Sequence, residues 1–204
     1  MPVTSLAFHP ADASEQRAAY TNVHEVWGGE QPLEEYLAWR LNSVQHQRAC
    51  WYVGCLEGRV VTSLGAYPLL FHVGGRQVAG FAIGAVHTVP DCRKRGYAAR
   101  LMAWVEAHQR QQGAELGLLY SDIDPDYYAR MGYRPCHCWE GRCTINSATR
   151  EAGAGPRLLQ FLPRGSLVEV GEVYRRAQLG RSVWIERPLE YWEWLLERSP
   201  ADEW

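Results

Sequence analysis

Six consecutive residues, Arg93, Lys94, Arg95, Gly96, Tyr97 and Ala98, carry the clearest chemistry in the sequence. A basic, glycine-containing turn opens a long amphipathic stretch there. The first amides of a helix lack internal partners and sit at the positive end of its dipole, so they hold anions well. Gly96 has no side chain to block a phosphate, and Ala98 and Ala99 are nearly as small. The three cations add attraction. Further on, Ser121 and Asp122 follow a short apolar run. Tyr128 then stands four residues before the Gly132-Tyr133 pair. This order predicts a site that holds a phosphorylated cofactor on a helix N-terminus and brings a phenol to the reacting group. His87, six residues before Arg93, has an intrinsic pKa suited to proton transfer, but a strand histidine is more often a structural or surface residue.

These groups need elements to position them. Val3 to Phe8 reads as a strand, and Asp12 with Glu15 forms a capping-box pattern before a helix ending at Gly28-Gly29. Pro32 suits the first position of a second helix running to Val44. Cys50 to Leu56, Arg59 to Val73 and Gln77 to Val89 read as three consecutive antiparallel strands. Gly65 and Pro68 predict a bend in the middle one, and Gly74-Gly75 closes a hairpin. Lys94 to Gln112 is a long helix that stops at Gly113. Leu116 to Tyr120 is a short apolar strand, Pro125 to Met131 a short helix, and Gly132 to Ile145 a returning strand. Residues 146–157 are small, polar and glycine-containing, as a linker would be. Leu158 to Leu162 is a further strand candidate, and Leu167 to Leu179 and Pro188 to Glu197 read as helices.

Composition narrows the function. The chain has 204 residues, a net charge of −2, and 47% hydrophobic residues. That is enough for one domain with a sizeable core plus an appendage. The charge balance gives no argument for nucleic acid or an anionic membrane. No apolar run is long enough to span a bilayer, and the N-terminus lacks the pattern of a secretory signal. The cytoplasm is the default location, where the six cysteines would be reduced thiols. Cys136-His137-Cys138 with Cys143 invites a zinc reading, and with it an interaction domain built on metal. The spacing lacks the two-residue gaps of zinc knuckles, and buried strand thiols are the plainer reading, so no metal is expected.

The two motifs resemble the GNAT superfamily of N-acetyltransferases. Its signature R/Q-x-x-G-x-G/A lies between a fourth strand and a long helix, and Arg93, Gly96 and Ala98 match it. The family also carries a tyrosine four residues before a Gly-aromatic pair, matched by Tyr128. The resemblance covers roughly residues 3 to 145. It implies an α/β fold of the α+β kind, with a mostly antiparallel mixed sheet splayed between strands 4 and 5, flanked by helices. Residues 1–145 would be the acetyltransferase domain, and 146–204 a linker, a final strand and an aromatic-rich helical extension. It also implies acetyl-CoA as co-substrate, with no metal. Val86, His87 and Thr88 would pair with the pantetheine arm, and Lys94 to Ala99 would hold the pyrophosphate. Ser121 and Asp122 would border the thioester, though they are equally readable as a loop and cap before the short helix.

The implied reaction moves an acetyl group to a primary amine of a small molecule or lysine-like side chain. The oxyanion needs a donor, and the departing thiolate needs a proton. Tyr128 is the candidate general acid. Tyr127 points about 100° away on a helix, so only one of the two can face the slot. The general base is not legible: His87, the acids Asp122, Asp124 and Asp126, or water would each serve. Asp124 and Asp126 also suit a helix N-terminus. Trp27, Tyr36, Trp39 and Tyr67 are candidate walls for the acceptor, or ordinary core. The segment holding Tyr174, Arg187, Tyr191 and Trp192 resembles the one after the catalytic domain of enhanced-intracellular-survival acetyltransferases. The stretch Ser121 to Tyr133 resembles that branch and fungal lysine acetyltransferases. An exposed Trp-rich tail would give a homo-oligomer contact. The competing class is a catalytically silent acyl-CoA-binding module that docks a partner.

Overall fold

The structure, a computed structural model, describes residues 5–121, 123–136 and 165–198. Strands buried on both faces at their centre build its sheet, in the order β1 (Ala7–Pro10), β2 (Cys50–Leu56), β3 (Arg59–Val73), β4 (Arg76–Thr88), β5 (Leu116–Leu119). The first three neighbouring pairs are antiparallel, and β4 with β5 is parallel. The helices are α1 (Ala13–Trp27), α2 (Leu33–Asn42), α3 (Val44–Arg48), α4 (Tyr97–Gln111), α5 (Pro125–Ala129), α6 (Leu167–Ala177) and α7 (Leu189–Arg198). The mixed α/β architecture with an antiparallel majority is the one expected.

Local chemistry explains the boundaries. Asp12 accepts from the amides of Ser14 and Glu15 while Glu15 reaches back to the Asp12 amide, a complete capping box. The second predicted helix breaks at Ser43, whose backbone is extended, so α2 and α3 are separate and Pro32 sits at the cap itself. The long helix starts at Tyr97 rather than Lys94, because Lys94 and Gly96 both adopt left-handed backbone conformations. A 3-10 turn at Pro90–Cys92 fills the space between β4 and that point. The predicted strand from Gly132 is not formed over residues 133–136, and its remainder lies outside the described residues, as does Leu158 to Leu162.

Two apolar layers hold the sheet. On one face Leu101, Met102 and Val105 of α4 meet Tyr52, Leu64, Phe81 and Ile83. On the other, Ala19 and Tyr20 of α1 and Leu37 of α2 meet Trp51 and Val53. Each large side chain so buried contributes roughly 1.5–3 kcal/mol by removal from water. The C-terminal segment returns to this sheet. A short strand, β6 (Val183–Ile185), which the sequence pattern did not disclose, pairs with Phe71–Val73 on the edge of β3 beyond the reach of β2. Helix α7 lies against α3, with Arg48 near Glu190 at 3.7 Å. Trp192 is 9% exposed and turned inward, rather than offered as a surface.

Candidate active site

The sheet opens where β4 outruns β5. Their pairing runs from Gly80↔Leu116 to Ile83↔Leu119 and stops, while β4 continues to Thr88. At the same place the β3–β4 register slips between Ser63 and Gly65, and Ala85 takes a positive φ of 51°. That conformation costs a non-glycine residue on the order of 1 kcal/mol and marks a bulge. The Val89 amide bonds to the Val61 carbonyl at 3.0 Å, and the His87 carbonyl accepts from Thr62 Oγ1 at 2.8 Å. The peptide groups of His87 and Val89 therefore face β3. By the two-residue repeat of a strand, those of Val86 and Thr88 face the open edge.

The basic turn abuts that edge. Arg93 donates from Nε to the Thr88 carbonyl at 3.0 Å, and Arg95 donates to the Asp91 carbonyl at 3.2 Å. A bidentate pair between Arg59 and Asp91, at 2.7 and 3.0 Å, fixes the 3-10 turn below. Arg93 and Arg95 thus spend part of their donors on the backbone and keep the rest outward. Gly96, at the cap of α4, has a φ of 74° and supplies no capping side chain. A methyl placed there would meet no atom within 4 Å, so conformation rather than space selects glycine. The amides of Tyr97, Ala98 and Ala99 begin the helix with no residue of the preceding turn below them in the ladder. The Tyr97 ring, half-buried, packs with Val61, Val89 and Cys92 and anchors the turn.

Other expected residues gather less closely. Val86 and Tyr128 border the same apolar cluster on the α4 face. Tyr128 stands beside Tyr127 and Tyr133, with ring centroids 5.0 and 6.0 Å away, and its carbonyl accepts from the Met131 and Tyr133 amides. The Tyr133 hydroxyl is committed to Glu106 at 2.7 Å; burial, with that carboxylate beside it, pushes its pKa far up. Ser121 Oγ accepts from the Ile123 amide at 3.1 Å and Asp124 caps the Asp126 amide at 2.9 Å, so both organise the entry to α5. Asp122 lies outside the described residues. A cavity along the outer edge of β5 is lined by Leu118, Leu119, Ser121, Tyr128 and Tyr133 and leaves the described chain at Cys136.

His87 faces the opposite side, toward α1. It is 5% exposed with neither ring nitrogen hydrogen-bonded, and burial followed by Arg93 lowers its pKa. The cross-strand neighbour Ser63 is equally buried with an unpaired hydroxyl. Of the expected acceptor walls, Trp27 and Trp39 are exposed, Tyr67 is half-buried and Tyr36 is 1% exposed. Tyr36, Trp39 and Tyr67 group with Tyr20 and His46 around a residue the sequence reading missed, Arg40. The only legible signal was its position one turn after Tyr36 in an aromatic stripe. Among the described cysteines, Cys50, Cys55, Cys92 and Cys136 are free thiols. His9, Glu15 and Cys55 come together, but Glu15 is spent on the capping box and on both neighbours.

The profile of the acetyltransferase (GNAT) domain matches residues 7–136, more than half of the chain. The chain belongs to the GNAT acetyltransferases. It is therefore an N-acetyltransferase by family, and no curated protein matches it in sequence. Solved structures share the fold. An aminoglycoside N-acetyltransferase, AAC(6')-Iy, in complex with CoA has 16% identity and a TM-score of 0.53, covering 70% of this chain and 99% of that one. Glucosamine-6-phosphate N-acetyltransferase from Arabidopsis thaliana has 11% identity and a TM-score of 0.54, covering 69% and 99%. A probable N-acyltransferase from Enterococcus faecalis V583 has 19% identity and a TM-score of 0.55, over 63% of this chain but only 32% of its own length. Among the described residues no helix of this GNAT domain is long and apolar enough to cross a membrane.

Proposed function

We propose that this GNAT domain transfers the acetyl group of acetyl-CoA directly to a primary amine of a small molecule or lysine-like side chain. The observation that carries the reading is the open edge of β4 beyond Ile83, beside the uncapped start of α4. Val86 and Thr88 offer peptide groups to a pantetheine arm, with His87 between them. The amides from Lys94 to Ala99, with Arg93, Lys94 and Arg95 around them, would receive the pyrophosphate. With that end fixed, the arm runs back along β4 and brings the thioester to the bulge at Gly84–Ala85. Ser121 and Asp122 would border it from the β5 side.

In the reaction the amine nitrogen attacks the thioester carbon. The C–N bond forms, the C–S bond breaks, and the thiolate takes a proton for which Tyr128 is the candidate donor. The amine proton leaves to His87 or to water. A neutral, buried imidazole is the form that can accept it, and the lowered pKa of His87 keeps it neutral. The AAC(6')-Iy structures hold CoA and a CoA-S-monomethyl-acetylneamine bisubstrate analogue, which supports an amine acceptor on this frame. The grouping of Tyr174, Arg187, Tyr191 and Trp192 supports kinship with the enhanced-intracellular-survival branch, with residues 146–204 as an extension of a 1–145 catalytic unit.

Calorimetric titration with acetyl-CoA tests the donor site. Saturable micromolar binding, lost in Gly96→Glu, is the expected result, since that side chain adds negative charge and demands a positive φ. Tyr128→Phe should keep the binding and lose turnover by about 10²-fold or more; unchanged turnover removes Tyr128 from the mechanism. Binding without turnover on any amine of a broad panel would turn the assignment to a silent acyl-CoA-binding module.

A further inference from the structure

Arg40 is 7% exposed, yet among the described residues it meets no carboxylate. Its guanidinium lies 5.0 Å from the Tyr36 ring centroid and 5.6 Å from those of Tyr20 and Trp39. Its nearest polar partners among the described residues are neutral: Nη1 donates to His46 Nε2 at 2.7 Å, and the Tyr36 and Tyr67 hydroxyls lie close enough to feel its charge. Because Nε2 accepts, the His46 proton sits on Nδ1. Arg40 Nε, His46 Nδ1, Ser43 Oγ and Tyr36 Oη are all buried without a partner. A buried cation is costly to desolvate when unpaired, and each unmet buried donor adds to that cost. A set of donors around one positive charge is what an anion's oxygens would satisfy.

The location gives this a purpose. The Tyr67 ring, 6.2 Å from that of His46, lies over Gly65 and Gly84, so closely that a methyl on either glycine would come within 3.1 Å of it. Gly84 is the first residue of β4 past its last pair with β5. The cage thus stands on the sheet face over the point where the thioester is placed by the proposed function. Trp39, 40% exposed, and half-buried Tyr67 form its outer wall. An acceptor would reach the guanidinium by displacing the exposed Trp39 ring of this wall.

We propose that the Arg40 cage is the acceptor-recognition subsite and takes an anionic group, a carboxylate or a phosphate, carried on the same molecule as the reacting amine. This rests on the acetyltransferase reading. Arg40 would fork onto two oxygens, with His46 Nδ1, Ser43 and Tyr36 completing the shell, and the amine would project toward the bulge.

The test has two parts. In the first, the folded protein is titrated with acetate and with inorganic phosphate and its melting temperature followed, with Arg40→Met and Arg40→Lys alongside. The expected result is a rise with one of the two anions that is lost in Arg40→Met and partly kept in Arg40→Lys; which anion works names the group. No Arg40-dependent rise with either overturns the inference, whatever acetyl-CoA does. In the second, turnover with acetyl-CoA is compared within matched pairs, amino acids against their amides and amino-sugar phosphates against the free amino sugars. The expected preference for the anionic member is about 10²-fold in kcat/KM, falling to about one in Arg40→Met with acetyl-CoA affinity retained and unchanged in Arg187→Met. A preference that survives Arg40→Met, or never exists, overturns it. Failure of the acetyltransferase reading shows separately, as no acetyl-CoA binding in the parent protein.

Discussion

Among the described residues two arginines each lie against three aromatic rings, and they are built to different standards. Arg187, after β6, lies 4.4 Å from the Tyr174 ring centroid, 5.0 Å from that of Tyr191 and 5.5 Å from that of Trp192. Two polar groups beside it are paired: the Tyr174 hydroxyl donates to the Ile185 carbonyl at 2.6 Å, and Trp192 Nε1 donates to the Arg187 carbonyl at 3.2 Å. Carboxylates are at hand too, since Glu186 meets His72 at 2.9 Å and Arg175 at 3.6 Å. Among the described residues Arg40 has similar rings but no carboxylate, and four buried polar atoms in its shell lack a partner. A completed cluster holds chain to chain. An incomplete one, placed over the mouth of a slot, has the features of a site shaped for a ligand rather than for stability.

The comparison breaks most visibly at Trp192. Its indole fills the space against Tyr174 and Gly171, where a glycine Cβ would lie 3.4 Å from it. Trp192→Ala should cost about 3 kcal/mol in chemical denaturation and release the protease sensitivity of α6 and α7, with acetyl-CoA affinity retained. Arg187→Met should cost about 1–2 kcal/mol, the value of cation–π contacts in a partly desolvated setting. At this chain length that is a melting-point fall of roughly 2–8 °C. A cost below the error of the measurement would mean that Arg187 is not a staple.

Arg40→Met should behave the other way. Replacing a buried, poorly paired charge with an apolar side chain of similar length is neutral or stabilising in many proteins. The expected change is between zero and about 1 kcal/mol of added stability. A loss of more than about 2 kcal/mol would show that the aromatic cage is a structural anchor like its C-terminal counterpart, and would erase the contrast.

How much of this was readable in the sequence follows from the range of the forces involved. The capping box at Asp12, the long helix before Gly113 and the turn around Gly96 are local chemistry, and each was legible. The break at Ser43 was not, because the apolar spacing continues through it and only the packing of His46 against Tyr20 and Trp39 fixes α3 as a separate turn. The strand β6 is three residues long and gains its structure from the free edge of β3, a partner more than a hundred residues away. The Arg40 cage was half visible. Tyr36, Trp39 and Tyr67 are legible as candidate walls, but the charge at their centre is recognisable only once α1, α2, α3 and β3 are brought together. The donor turn is built from residues within a dozen positions of one another and is braced by Arg59 and Val61 of β3, whereas the acceptor cage depends on four separated elements, α1, α2, α3 and β3.

The smallest effect concerns His46, and it probes the cage from within. Burial, followed by the Arg40 charge, pushes its pKa down to about 3. The groups facing it are Arg40 and the rings of Tyr20, Trp39 and Tyr67, none of which offers a compensating negative charge. The unfolded imidazole titrates near 6.5, about three units higher. The contribution is therefore complete above pH 6.5 and declines as pH falls, because the unfolded chain binds a proton that the native site refuses. Between pH 7 and pH 6 this amounts to about 0.7 kcal/mol of lost stability. Denaturation curves at the two values, for the parent and for His46→Asn, should differ by that much in their pH dependence. In Arg40→Met the repulsion is gone and burial remains, so the imidazole resonances should titrate at a higher pH than in the parent. If they do not move, the Arg40 charge is compensated by a group outside the described residues, and the anion subsite already has its occupant.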